Sequence, residues 1–218
     1  MYLPAHFNET RIPVLHEAMQ QIGLATVVTS GSEGMEASHL PLLISAEPAP
    51  FGTLHGHMAR ANPQWRRFSP GGEALAIFLG PNTYVSPSWY PTKEQTGEVV
   101  PTWNYLAIHA YGTLGFFDDR EQLRAHVGAL TAAHEAGRPA PWAMSDAPAA
   151  YLDKMLAAIV GFKLVITRLE GKWKMSQNRL PQDIAGVREG LRREDSPAQR
   201  AVAKAMAKSD LAPKPDRG

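Results

Sequence analysis

Four stretches of the chain are dense in side chains able to hold a ligand. HGHMARANPQW (55–65) sets His57 and Arg60 just ahead of Asn62 and Pro63, a pair that starts a helix well. A cation beside unpaired helix-opening amides is a receptor for phosphate, the one supplying charge and the other directed donors. The same residues also describe a surface turn with a capped helix, and the pattern leaves both readings open. His39, His55 and His57 raise the question of a metal. A His–Gly–His pair on a strand puts both rings on one face, but no carboxylate stands at a complementary spacing, and the expectation is no metal.

PNTYVSPSWYP (81–91) brings Tyr84, Ser86, Ser88, Trp89 and Tyr90 together, rigid aromatic surface mixed with hydroxyls. Such residues stack on a planar ring and bond its polar edge, or else serve as core or interface aromatics. VPTWNYLAIHAYG (100–112) adds Thr102, Trp103, Asn104 and His109 with the same ambiguity. In GKWKMSQNRL (171–180), period-two alternation sends Trp173, Met175, Gln177 and Arg179 one way and Lys172, Lys174, Ser176 and Asn178 the other. Arg179 suits a phosphate or carboxylate clamp. No nucleophile has a matched base and orienting acid, and no glycine-rich phosphate loop is present. The chemistry adds up to a polar, aromatic pocket for a planar anion.

The elements that must position these groups read as mixed α+β. A first helix carries Leu15, Ala18, Met19 and Ile22 and ends at Gly23; strands follow at 24–30, 38–45, 53–58 and 74–80. Residues 102–117 form a long strand, with a bend expected near Gly112. Asp118 and Asp119 open a helix with Leu123, Val127 and Leu130 inward, and Asp146 begins another carrying Leu152, Met155, Leu156 and Ile159. Residues 162–176 read as two strands joined at Glu170–Gly171, and Ser196–Pro197 starts a basic helix before a tail holding Pro213 and Pro215. Six or seven strands with helices inserted late argue for a small mixed barrel rather than a doubly wound sheet.

Composition narrows the function classes. The 218 residues are 44% hydrophobic and 20% charged with a net charge of +1, which suits a real core and no general affinity for nucleic acid. There is no cysteine, which excludes disulfides, thiol nucleophiles and cysteine metal sites. The opening MYLPAHFNET lacks the pattern of a signal peptide, and no apolar run approaches membrane-spanning length, so the expectation is a cytoplasmic protein without a membrane span.

LHGHMARANPQW, YVSPSWY, VPTWNYLAIHAYG and KWKMSQNR, in that order, resemble the PaiB-type FMN-binding negative transcriptional regulators. The resemblance implies an FMN-binding split β-barrel with helical insertions and a C-terminal helix, the barrel domain in residues 1–191 and a helix and tail in 192–218. It further implies FMN as cofactor, a homodimer and a repressor role. Carried over by motif, the cofactor-binding residues are His57, Arg60, Asn62, Tyr84, Ser86, Trp89, Ser176, Gln177, Asn178 and Arg179. The family block often continues with an Asp-Arg pair, whereas this chain reads Gln182-Asp183-Ile184-Ala185. No helix-turn-helix is recognisable, and DNA contact would fall to a local basic surface on the late helix with Arg192, Arg193, Arg200, Lys204 and Lys208. Two other functions remain open: a flavin-dependent oxidoreductase or flavin reductase using NAD(P)H, and a non-catalytic flavin- or heme-binding sensor.

Overall fold

The computed structural model describes residues 1–209 apart from residue 70; the side chains of 208 and 209 and the expected tail prolines lie outside the described residues. The chain divides into two compact units. One comprises Ile12–Phe78 and His109–Leu169, the other Met1–Arg11, Leu79–Ile108 and Glu170–Gly218.

In the first unit, helix α1 (Ile12–Ile22) buries Leu15 and Met19 and stops at Gly23. Gly23 has φ 69°, and its N–H returns to the Met19 carbonyl at 2.9 Å, a left-handed helix end that glycine adopts without strain. Strand β2 (Leu24–Gly31) turns back into β3 (Gly34–Pro41) with Leu24 opposite Pro41, and it buries Ala25, Val27 and Thr29 by alternation. β4 (Leu43–Ser45) and β5 (Thr53–Ala59) pair antiparallel, followed by α2 (Gln64–Arg67), a single turn. Three long strands run on from this unit into the other: β6 (Glu73–Val85), β7 (Thr102–Phe117) and β8 (Ile159–Lys174). Between β7 and β8 come α4 (Arg120–Glu135), whose N-cap Asp119 accepts the Gln122 N–H at 2.9 Å, and α5 (Ala149–Ala157).

The second unit adds β1 (Asn8–Glu9), paired with β8, then α3 (Thr92–Thr96), α6 (Pro181–Arg193) and α7 (Pro197–Ser209). Val187 and Leu191 of α6 and Val202 and Met206 of α7 are buried, each contributing about 1.5–3 kcal/mol by removal from water. Strand order is β3-β2-β6-β7-β8-β5-β4. Among the described residues no pairing joins β3 to β4, so the ladder is an open path of hydrogen-bonded neighbours. The mixed α+β class with a late helix follows the sequence; closure of the sheet into a barrel does not appear in the pairing.

Several elements depart from expectation. Residues 159–174 are one strand, not two joined at Glu170–Gly171, because antiparallel partners on β5 and β1 hold both halves extended. The strand expected over 74–80 runs on to Val85. Ile159 opens β8 instead of closing a helix, and α5 begins at Ala149 after a short 3-10 turn at Met144–Asp146. Within α5 only Leu156 is fully buried, and Met155 faces outward. β7 is a single strand through Gly112, as expected of residues 102–117, and a Cβ at Gly112 would lie 2.1 Å from the Val165 carbonyl oxygen. That glycine serves close strand approach. Helix α6 has no counterpart in the sequence reading.

Candidate functional site

In the first unit, β5 alternation points His55 and His57 to one side, as expected. His57 Nδ1 lies 3.1 Å from Nε2 of His126, a buried residue of α4, with the rings edge to face at 5.2 Å. Burial first, and then His57 and His55, push His126 down to about 4. His57 is lowered by burial. Both imidazoles are therefore neutral near pH 7, one donating and the other accepting. His55 sits opposite Lys163 in the β5–β8 register and is lowered first by burial and then by that lysine. His39 lies elsewhere, its Nδ1 2.9 Å from Thr26 Oγ1. A cavity of about 370 Å³ opens beside His55, His126, Phe117 and Lys163.

Arg60 and Asn62 hold the chain together in ways the sequence left open. Arg60 Nε and Nη2 donate to the carbonyls of Ala157 and Ile159, both at 3.0 Å, and Nη1 stands 3.5 Å from Asp118. The end of α5 is a natural place for a cation, since its last carbonyls lack helical partners. Asn62 Oδ1 accepts the Gln64 N–H at 3.0 Å, and its amide donates to Ser38 Oγ at 2.9 Å. Buried Gln64 in turn donates to the Val27 carbonyl and Thr29 hydroxyl. A four-residue α2 has too few aligned peptides to act as an anion receptor through its dipole.

The second unit gathers the later motifs. Tyr84 and Trp103 are half exposed, with ring centroids 6.3 Å apart. Ser86 Oγ accepts the Ser88 N–H and starts the turn that carries Trp89. The Trp89 ring lies against Gly190 of α6, where a Cβ would come within 2.4 Å of it. Tyr90 is buried beneath the Arg179 guanidinium, 5.2 Å from the ring centre. Burial raises its phenol pKa, and Arg179 opposes that rise. Asp183, next to the expected Asp-Arg position, accepts the Thr92 N–H at 3.2 Å and the Thr92 hydroxyl at 3.0 Å.

The block 172–179 departs from simple alternation. β8 ends at Lys174, and Ser176 has φ 63°, so the chain turns and the period-two pattern stops there. The Ser176 hydroxyl lies 2.9 Å from Asn104 Nδ2, both residues buried. Gln177 accepts the Met175 N–H at 2.7 Å and donates to the Trp173 carbonyl, clamping the turn. Asn178 is exposed. Three cations meet nearby. Lys172 donates to the Tyr2 carbonyl at 2.8 Å, and Lys174 donates to Thr102 and to the Trp103 carbonyl. Burial lowers the Lys174 pKa first, then Lys172 and Arg179 repel its charge. On the late helices, Arg193 pairs with Glu189 and Arg200 with Asp195, each at 3.0 Å.

The sequence-derived residues divide between the two units: His57, Arg60 and Asn62 belong to the first, the rest to the second. His126, Lys163 and Asp183 escaped sequence reasoning. His126 left a signal, because it sits three residues after Leu123 and four before Leu130, on the buried stripe of α4.

Comparison with known proteins follows the same lines. Residues 1–168 match the family described as "Putative FMN-binding domain". "Protease synthase and sporulation protein PAI 2" of Bacillus subtilis is 33% identical over 206 residues, 94% of this chain and 96% of that protein. An uncharacterized protein of Aspergillus fumigatus is 32% identical over 251 residues, covering 94% of this chain and 96% of its own. Among solved structures, the FAD and heme binding protein from Mycobacterium smegmatis aligns with a TM-score of 0.58 at 20% identity, over 82% of this chain and 78% of that one. The flavocytochrome Anf3 from Azotobacter vinelandii aligns with a TM-score of 0.56 at 11% identity, over 82% and 75%. These structural likenesses are of fold.

Proposed function

The chain belongs to the family of FMN-binding domains that its residues 1–168 match, and from that premise we propose a PaiB-type FMN-binding protein acting in negative transcriptional regulation. The family match carries the cofactor reading. The donor chemistry of the second unit fits such a group. Lys172, Lys174 and Arg179 offer positive charge that is already under mutual repulsion, and Tyr84 with Trp103 offers exposed ring surface. An anion beside Lys174 offsets the burial and the repulsion that lower its pKa, and a planar ring covers the aromatic pair. FMN, when bound, supplies redox chemistry at its isoalloxazine. This chain's residues hold and orient it.

Arg179, whose guanidinium lies over Tyr90, is assigned the phosphate-holding role within this group. Arg60, already committed to two backbone carbonyls, is assigned a supporting one. Titration of the protein into FMN, followed by flavin fluorescence, tests the assignment. The expected result is saturable quenching, weakened about tenfold or more in R179A, the loss of one charge-assisted contact. Equal affinity in R179A and wild type removes that role, and a protein that takes up no FMN sinks the cofactor reading. The FMN-loaded protein, assayed for NAD(P)H oxidation, separates regulator from reductase.

The regulatory part rests on the order of motifs shared with PaiB-type proteins. DNA contact is assigned to the basic face of α7 and the end of α6, and its signature is steep weakening with salt.

A further inference from the structure

The cavity in the first unit lies over a row of three residues in adjacent strands. Leu43 of β4 stands opposite His55 of β5, and His55 stands opposite Lys163 of β8. Helix α4 roofs this row with Gln122, Ala125, His126 and Ala129, residues at helical spacing that share one face. Phe117 closes one side. It can do so because residue 161 is glycine: a Cβ there would lie 2.3 Å from the Phe117 ring. The Lys163 ammonium lies 5.7 Å from the centre of that ring.

Three features of this cavity point to one chemistry. Its volume, about 370 Å³, is at the small end of the range for organic-ligand pockets. Its walls are largely apolar, with an aromatic face at Phe117. Its charge has one sign. The titratable groups facing it are His55 and neighbouring His57 on β5, His126 on α4 and Lys163 on β8, while β4 and the end of β7 bring none. No carboxylate lines it, and among the described residues Lys163 makes no ion pair. A lysine set directly across a strand pair from a histidine, without an acid between them, disfavours the histidine's charged form, and an anion between them would favour it.

We propose that this cavity is a second binding site, for a compact planar carboxylate whose ring packs on Phe117 and whose charge is held by Lys163, His55 and His126. The site goes beyond the flavin reading and does not depend on it. Binding takes up a proton. Burial disfavours the charged forms of the histidines and an anion beside them favours those forms, so affinity rises as pH falls.

Calorimetric titration of the full chain with benzoate tests this, with and without saturating FMN, in two buffers of different ionisation enthalpy. The expected result is one saturable site, unchanged by FMN, about tenfold tighter at pH 5.5 than at pH 7.5, with net proton uptake. K163Q, altering an exposed side chain, weakens binding about tenfold, and A129W fills the cavity and abolishes it. Absence of saturable binding overturns the proposal while leaving the flavin reading intact. So does unaltered affinity in K163Q, and so does one-for-one competition by FMN, which would make this cavity the flavin's own.

Discussion

Two buried histidines in contact, His57 and His126, make the fold sensitive to acid. An unfolded histidine titrates near 6.5, whereas native His126 is held at about 4, so between those values the unfolded chain binds a proton that the native chain refuses. Stability from this source is complete above pH 6.5 and is lost as pH falls towards 4. The urea midpoint of the wild type should drop across that window and that of H126Q should drop less, His57 and His55 retaining a smaller effect of the same sign. Identical slopes would mean that His126 is not the buried base described. At Asn104, fully buried against Ser176, the issue is satisfaction rather than charge. N104A leaves the Ser176 hydroxyl without its partner in a left-handed turn, and equilibrium unfolding should show a loss of about 1–3 kcal/mol.

Helix α6 is held by what its glycines omit. Gly186 lies under the Trp89 carbonyl and Gly190 under the Trp89 ring, and Asp183 receives Thr92, so one helix face fixes the whole 86–96 loop. An added methyl at 190 has a ring, not the end of a flexible chain, in its way. G190A should therefore lower stability by about 1–3 kcal/mol despite alanine's better helix propensity, with a shift in tryptophan emission. A G190A protein melting above the wild type would show that propensity wins and that the contact is slack.

At the scale of the molecule, the second unit exposes Leu79, Tyr84, Val100 and Trp103, apolar side chains of a kind that interfaces cover. A homodimer is the association expected of a PaiB-type protein. Sedimentation should show a dimer in the wild type that W103D dissociates, the buried carboxylate costing more than the interface returns. Concentration-independent monomer behaviour in both proteins would remove the dimer from the account.

Local patterns settled a good deal before any fold existed. Strand alternation in β5 put His55 with His57 on one side; Asp119 marked the start of α4; the shared motifs marked the family and its cofactor. These are legible because they depend on neighbours a few residues apart and on repeating geometry. Contacts between distant segments were not. The sequence could not say that Arg60 would be spent on carbonyls 97 and 99 residues away, that His126 would meet His57 across 69 residues, or that Ser176 would break the strand to reach Asn104. α6 carries glycines at 186 and 190 that lower its helix propensity, and the Trp89 packed against them explains their presence. Residue type and spacing therefore determined which side chains were available. Tertiary packing decided which of them were consumed by the fold and which, such as Lys163 and Arg179, were left facing open space or a ring, because burial and long-range pairing arise only when remote strands and helices come together.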